Sequence, residues 1–395
     1  MAPLPALPSS FAQITLRERP RAAIDPSLNS GTGTFTYEKE VKMWDLKEDV
    51  KAGEAIVRTE WVSIDPAMRG WLNPTRSYVP PVGIGEVMRA GGVGRIAYLP
   101  PSSSSSTSSS SSSNRTPTVE NGNEKSAPLQ AVRKPREELK VGDWVSFMSG
   151  WAEYAKVPVK ELKKIEVDET ISPTYYLGAL GMTGQTAYWG LFDVAKIQPG
   201  ETVVVSGAAG AVGSLACQLA KLHGCKVIAI AGGKEKCTWL REELGVDEVL
   251  DYKKEWKEFA KEFKEKVGYL DAYFDNVGGN LLDLALTRLK KGARIALCGA
   301  ISAYNDPSPK GLQAYLNLIS QRAKIEGFIV FDYASRYHEA EEQLIAHLRA
   351  RRLKLRETRV TQSGLAGAPG ALVGIFEGKN TGKLIVKVGR DGARL

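Results

Sequence analysis

Cysteine and histidine are scarce in this 395-residue chain, which has four of the first and three of the second. Cys217, Cys225, Cys237 and Cys298 form no close CxxC pair, so neither a disulfide framework nor a zinc ribbon is suggested. His223, His338 and His347 lack the spacing that assembles a metal site and read as surface or helix-packing residues. No metal is expected. Nowhere do eighteen apolar residues run together, which leaves no candidate membrane span. The first twenty residues lack the basic start and apolar core of a secretory signal. Free thiols without a signal point to a reducing, cytoplasmic setting. Charge of one sign is missing too. The net charge is +8, but Lys and Arg are interleaved with acids, as in WKEFAKEFKEK. That is the pattern of solvated helix faces, so no nucleic-acid partner is expected. A basic surface also suits a polyanionic cofactor.

What is present divides the chain. Between Pro100 and Pro135 large apolar residues nearly vanish into a Ser-rich stretch, which cannot bury enough surface to offset its ordering entropy. A disordered insertion between two adjacent strands is expected over 100–135. Asn114-Arg115-Thr116 within it fits a glycosylation sequon, idle without a signal peptide. On either side, residues 14–166 read as short alternating segments with Gly and Pro punctuation, the pattern of a mostly antiparallel sheet or barrel. From about Tyr175 to Val330, apolar strands alternate with helical stretches, which calls for a doubly wound parallel sheet and an α/β fold. LLDLALTRLKKG reads there as one helix. The tail from Tyr333 ends in the strand-like KLIVKV and is expected to return to the first domain. The expected domains are therefore 1–172, 173–330 and 331–395. Ala393-Arg394-Leu395 resembles a peroxisomal address, against the plainer reading of a frayed basic tail.

The strand TVVVS runs directly into Gly207-Ala208-Ala209-Gly210-Ala211-Val212-Gly213, and a helix follows. Val212, Leu215, Leu219 and Leu222 recur at helical spacing and are expected to face the sheet. Such glycines permit a tight turn and let the backbone approach a pyrophosphate at the helix N-terminus. Strand, turn, helix and second strand in order make this AxGxxG motif a dinucleotide fingerprint. The second strand, KVIAIAGG, ends in small residues where an NAD enzyme would usually carry Asp or Glu. Lys234 and Lys236 follow at a helix start, where cations are electrostatically unwelcome. Absent carboxylate and present ammonium groups select NADP.

Several segments together resemble one family. They are Ser63-Ile64-Asp65-Pro66-Ala67-Met68-Arg69-Gly70, SYVPPVGIGEVMRAGGVG, LGALGMTGQTAYWGL, PGETVVVSGAAGAVG, DNVGG, CGAIS with Tyr304-Asn305, and GKNTGK. In this order they resemble the medium-chain dehydrogenase/reductases, in the zinc-free branch of prostaglandin, alkenal and curcumin reductases. The resemblance implies a GroES-like catalytic domain built from both ends of the chain around a Rossmann domain. It implies that Gly210, Ala211, Val212 and Gly213 hold the pyrophosphate of NADP(H), with Lys236 at the 2′-phosphate and Tyr252 by the adenosine. Asn276 and Cys298 to Tyr304 would line the cofactor, and Phe328, Ile329 and Val330 would pass near the nicotinamide. Asn380 would reach across from the other domain. Tyr78 and Met182 would touch the substrate. Ala67 stands where relatives often carry a larger residue, and Arg69 reads either as a substrate contact or as a structural partner. Relatives are often dimers through their Rossmann sheets, so a homodimer is expected.

The implied chemistry is conjugate reduction of an enal or enone. A hydride goes to the β-carbon, and a hydrogen-bond donor stabilises the enolate charge on the carbonyl oxygen. Tyr304 is the candidate donor, although Tyr304-Asn305-Asp306-Pro307 also reads as an ordinary turn after a strand. The alternatives are quinone reduction by the same hydride geometry and a cofactor-binding protein without turnover.

Overall fold

The computed structural model describes residues 6–28, 30–101 and 138–389. Apart from Pro100 and Pro101, the expected insertion lies outside these residues, as do the Asn114 sequon and the terminal tripeptide. Near the N-terminus β1 (Ser10–Leu16) and β2 (Phe35–Lys42) form a two-stranded antiparallel sheet. The long β3 (Glu54–Ile64) then runs into a short helix, α1 (Met68–Trp71). β3 pairs antiparallel with β4 (Gly91–Tyr98), which pairs with β5 (Trp144–Met148). β6 (Tyr154–Pro158) pairs with β3 as well, and β7 (Lys163–Lys164) closes that edge on β5.

The parallel sheet begins after α2 (Met182–Trp189). Its elements are β8 (Thr202–Val205), α3 (Ala211–Leu222), β9 (Lys226–Ala231), α4 (Lys234–Thr238) and β10 (Glu248–Asp251). They continue as α5 (Trp256–Val267), β11 (Leu270–Asp275), α6 (Gly279–Leu286), β12 (Leu289–Leu297), α7 (Leu316–Gln321) and β13 (Lys324–Gly327). The strand order is β10-β9-β8-β11-β12-β13, every pairing parallel. Val203, Val204 and Val205 of β8 are all fully buried because helices cover both faces of a parallel sheet. The two-residue period sends Val203 and Val205 into the core that holds α3, while Val204 joins Phe259 and Phe263 of α5 on the other side. The order of connection reverses between β8 and β11, and the crevice beyond their carboxyl ends is where such sheets bind ligands.

Two local expectations fail. Leu222 is 42% exposed rather than facing the sheet, since it occupies the last turn of α3. The middle of α3 is instead buried all round, from Gly213 to Ala220, with the Gln218 side chain bonded to both the amide and the carbonyl of Lys354. The expected helix over LLDLALTRLKKG also stops early, at Leu286. Leu289 already pairs with Leu270 in the sheet, and the ladder demand of β12 takes over its last residues.

The chain then returns. After α8 (Tyr337–Arg349), β14 (Glu357–Val360) and α9 (Ala368–Phe376), β15 (Lys383–Lys387) inserts between β14 and β3 of the first sheet. Leu384 faces Ile64 in that pairing. Beside it the Lys383 ammonium donates to Asp65 Oδ1 at 2.5 Å and to Ser63 Oγ at 2.6 Å, and Ser63 in turn bonds the other Asp65 oxygen. Both charged side chains are less than a tenth exposed. Replacing Lys383 by Met leaves the Asp65 carboxylate buried and unpaired, so the variant should lose about 3–5 kcal/mol of stability. Urea unfolding at pH 7 measures this, with a Lys383→Met/Asp65→Asn double variant expected to recover part of it. A single variant that unfolds with the wild-type midpoint would deny the pair its structural role.

Candidate active site

Between the carboxyl ends of the parallel strands and the first sheet lies a cleft of about 590 Å³. Gly207 follows β8, Asn276 follows β11 and Cys298 follows β12 along one wall, while Asp65, Ala67 and Leu384 belong to the other. The turn from β8 into α3 explains its glycines. Gly207 holds φ +57°, and a β-carbon on Gly213 would come within 2.3 Å of the Gly207 carbonyl oxygen. α3 starts at Gly210 with no side-chain cap, so its first-turn amides are free of intrahelical acceptors and face the cleft. The opposite sheet docks on this loop through its backbone: the Gly382 amide donates to the Ala209 carbonyl at 2.8 Å. Asn380 braces the segment before β15 by donating to the Gly382 carbonyl.

At one end of the cleft, Lys236 of α4 donates to the Gly378 carbonyl at 2.7 Å. Burial first, and then the neighbouring Lys253, pull its ammonium below the usual lysine range. Glu235 offsets this in part, but an ammonium whose hydrogen bond goes to a neutral carbonyl is electrostatically suited to an added anion. Asp251 at the end of β10 does not neutralise it, being engaged by the amides of Gly233 and Lys253. Tyr252 lies so close over Gly232 that a β-carbon there would meet its ring at 2.6 Å, a packing reason for the small residue after β9. The residues present therefore fit a dinucleotide carrying an extra phosphate. Lys234, also expected near this end, is exposed and does not line the cleft.

The floor is built on Asp275, fully buried at the end of β11. Desolvation raises its pKa, against the bonds it accepts from Ser206 Oγ at 2.7 Å and from the amides of Val277 and Gly278. Asn276 is locked in turn: its amide side chain donates to the Ser206 carbonyl at 2.7 Å and its backbone amide to Ser206 Oγ.

Tyr304 stands at the other end, half-buried after a short 3₁₀ turn (Ile301–Ala303). Its hydroxyl accepts from the Ala300 amide at 3.2 Å, which leaves the phenol proton free to donate. Burial is the main reason its pKa lies above that of an ordinary tyrosine. Met182, Phe328, Ile329 and Val330 make this end apolar. Tyr78 accepts a bond from the Trp71 indole at 3.0 Å and packs against Phe331, their ring centres 6.1 Å apart. All fifteen residues named from the sequence as site residues thus line a single cleft. Phe331, Asp65 and Gly382 line it too without standing among those residues; Asp65 and Gly382 sit inside segments that carry the resemblance, and Phe331 directly follows Val330.

Comparison with known proteins agrees with this geometry. Residues 211–348 match the family model described as zinc-binding dehydrogenase, and residues 13–104 match that of an N-terminal domain of oxidoreductase. Among the described residues no group of three or more His, Cys, Asp or Glu side chains could hold a metal ion. The chain is 36% identical to the 2-alkenal reductase (NADP(+)-dependent) of Nicotiana tabacum, over 89% of this chain and 93% of that protein. It is 34% identical to the NADPH-dependent curcumin reductase of Escherichia coli, over 88% and 92%. The solved structure of CurA from Vibrio vulnificus in complex with NADPH superposes with a TM-score of 0.78 at 35% identity, over 96% and 99%.

Cys217, Cys225 and Cys237 are buried, and Cys298 is half-buried on the cleft wall. Burial pushes Cys225 up to about 11 and Cys298 up to about 12, and it raises Cys217 and Cys237 as well. Since the thiolate is the nucleophile, the folded protein at pH 8 should resist iodoacetamide at every cysteine, and the urea-unfolded chain should take up label at all four. Mass spectrometry of the labelled peptides decides. Rapid labelling of Cys298 in the folded state would contradict its raised pKa.

Proposed function

Because the chain belongs to the zinc-independent branch of the medium-chain dehydrogenase/reductases, we propose that it saturates the carbon–carbon double bond of α,β-unsaturated aldehydes and ketones. It is an NADP(H)-dependent oxidoreductase. The observation that carries the finer reading is the free phenol proton of Tyr304 at the apolar end of the cleft. In conjugate reduction the β-carbon gains a hydride, the double-bond electrons move toward the carbonyl oxygen, and a proton at the α-carbon completes the saturated product. NADPH supplies the hydride when bound. Tyr304 donates its hydrogen bond to the oxygen on which charge develops, the place where a fixed donor lowers the barrier. Its raised pKa keeps it a donor in alkaline solution.

The remaining roles follow from position. Gly210, Ala211, Val212 and Gly213 receive the pyrophosphate at the start of α3. Lys236 takes the 2′-phosphate and Tyr252 covers the adenosine, while Asn276, Cys298 and Asn380 line the middle of the cleft. Phe328, Ile329 and Val330 flank the nicotinamide end, and Met182 and Tyr78 bound the substrate.

NADPH absorbance followed with trans-2-nonenal, a benzalacetone-type enone, a simple quinone and a saturated ketone tests the reading. Enal and enone should yield saturated carbonyls by mass, and Tyr304→Phe should lower kcat by about 100-fold. The sign of the pKa shift places any alkaline limb due to Tyr304 above pH 10, and that limb should vanish in the variant. Turnover of the quinone alone would replace this function with quinone reduction.

We also propose a homodimer. β13 is an edge strand, bonded only to β12 among the described residues, and beside it Tyr315, Leu316 and Ile319 are 53%, 61% and 72% exposed. An open strand edge next to an apolar patch favours association. Light scattering should give twice the 43.0 kDa chain mass, shifting toward one chain in Leu316→Glu/Ile319→Glu. A monomeric wild type would sink it.

A further inference from the structure

Arg69 is only 3% exposed. Its charge nevertheless meets no carboxylate among the described residues. Nη1 donates to Asn73 Oδ1 at 2.6 Å, and Nη2 to the carbonyls of Ala22 at 2.8 Å and Pro20 at 3.3 Å. The Asn73 bond stays beside α1, and the two carbonyl bonds tie α1 to the N-terminal segment. The fourth does something else: Nε donates to Asn305 Oδ1 at 3.0 Å, across 236 residues of sequence. Asn305 directly follows Tyr304.

The turn carrying Tyr304 is secured at its start, where the amides of Ile301 and Ser302 donate to the carbonyls of Asn276 and Val277. Beyond Asn305 the chain is exposed from Asp306 through Gly311. The Arg69–Asn305 bond is thus a fixed point between the phenol and an open stretch, and it comes from the opposite wall of the cleft. Burying a guanidinium against neutral oxygens alone is unfavourable unless nearly every N–H is satisfied. Here each of its nitrogens has a partner, one of them in the Tyr304 turn.

We propose that Arg69 is a positioning residue that, through Asn305, holds Tyr304 at its working place in the cleft. The idea rests on the enone-reductase reading above. It also means that the turn over the cofactor wall is registered against the first sheet, so the donor's position depends on both walls together. A displacement of about 1 Å at a reacting group can lower a rate by up to about 100-fold.

Variants at Asn305 test this because they leave the other three contacts of Arg69 intact. With trans-2-nonenal and the full chain, Asn305→Ala should lower kcat roughly tenfold. The NADPH Kd, read from quenching of protein fluorescence, and the unfolding midpoint should stay near wild type. Asn305→Asp, which still accepts from Arg69, should recover most of the rate. In a Tyr304→Phe background the Ala substitution should have little further effect, since contacting residues that act as a unit are non-additive. A wild-type kcat in Asn305→Ala beside a slow Tyr304→Phe would overturn the clamp alone. So would Asn305→Asp no faster than Asn305→Ala, or a full tenfold loss persisting without the phenol. Tyr304→Phe as fast as wild type would overturn the role of Tyr304, and this proposal with it.

Discussion

The ammonium of Lys383 and the carboxylate of Asp65 meet at 2.5 Å where water is excluded, and the return of the chain hangs on that contact. Asp65 ends the stretch that follows β3, and Lys383 begins β15. Locking them together fixes the register of the last strand against the first sheet. One residue earlier, the Gly382 amide bonds the carbonyl of Ala209 in the glycine turn. The pair therefore holds β15 in the register from which Gly382 bridges one wall of the cleft to the other. A salt bridge of this kind is a poor source of net stability, because desolvating both ions offsets most of their attraction. Its value lies in what it forbids: any other register leaves a charge buried alone.

The opposite wall has its own buried acid. Asp275 sits under the point where strand order reverses and gathers Ser206 Oγ with the amides of Val277 and Gly278. That arrangement orients Asn276 into the cleft without using a side chain from the first sheet. Each wall is thus rigid by itself, and the Gly382 bridge and the Arg69–Asn305 bond join them. The catalytic reading needs this rigidity. A donor poised for an oxyanion is useful only when it does not have to reorganise as charge develops.

Much of this was legible in the sequence, and the physics of range explains which parts. The glycine turn is local: strand, tight turn and helix start lie within a dozen residues, so Gly207 to Gly213 declare themselves. The alternation of β8 to β12 with helices is equally local and was read correctly except at segment ends. Leu222 and the end of α6 were misread because helical periodicity does not say where packing stops and a strand ladder begins. Asp65 and Lys383 stand 318 residues apart and Arg69 and Asn305 stand 236 apart. No propensity or period links such pairs. Arg69 was for that reason left between two roles, and only the folded arrangement shows that it bonds the Tyr304 turn.

The same reasoning separates two cations that look alike in the sequence. Neither Lys236 nor Arg69 is paired with a carboxylate among the described residues. Arg69 has a neutral oxygen on every nitrogen, is almost sealed from solvent and does not line the cleft. Lys236 spends one donor on the Gly378 carbonyl, lines the cleft, and is held below its usual pKa by burial and by Lys253. An ammonium carries three N–H donors, so two of them remain beyond the bond to Gly378. A cation ringed by neutral oxygens organises the protein around it, whereas one left short of acceptors is suited to an anion. Arg69 thus acts from behind the first-sheet wall, while Lys236 stands in the cleft itself.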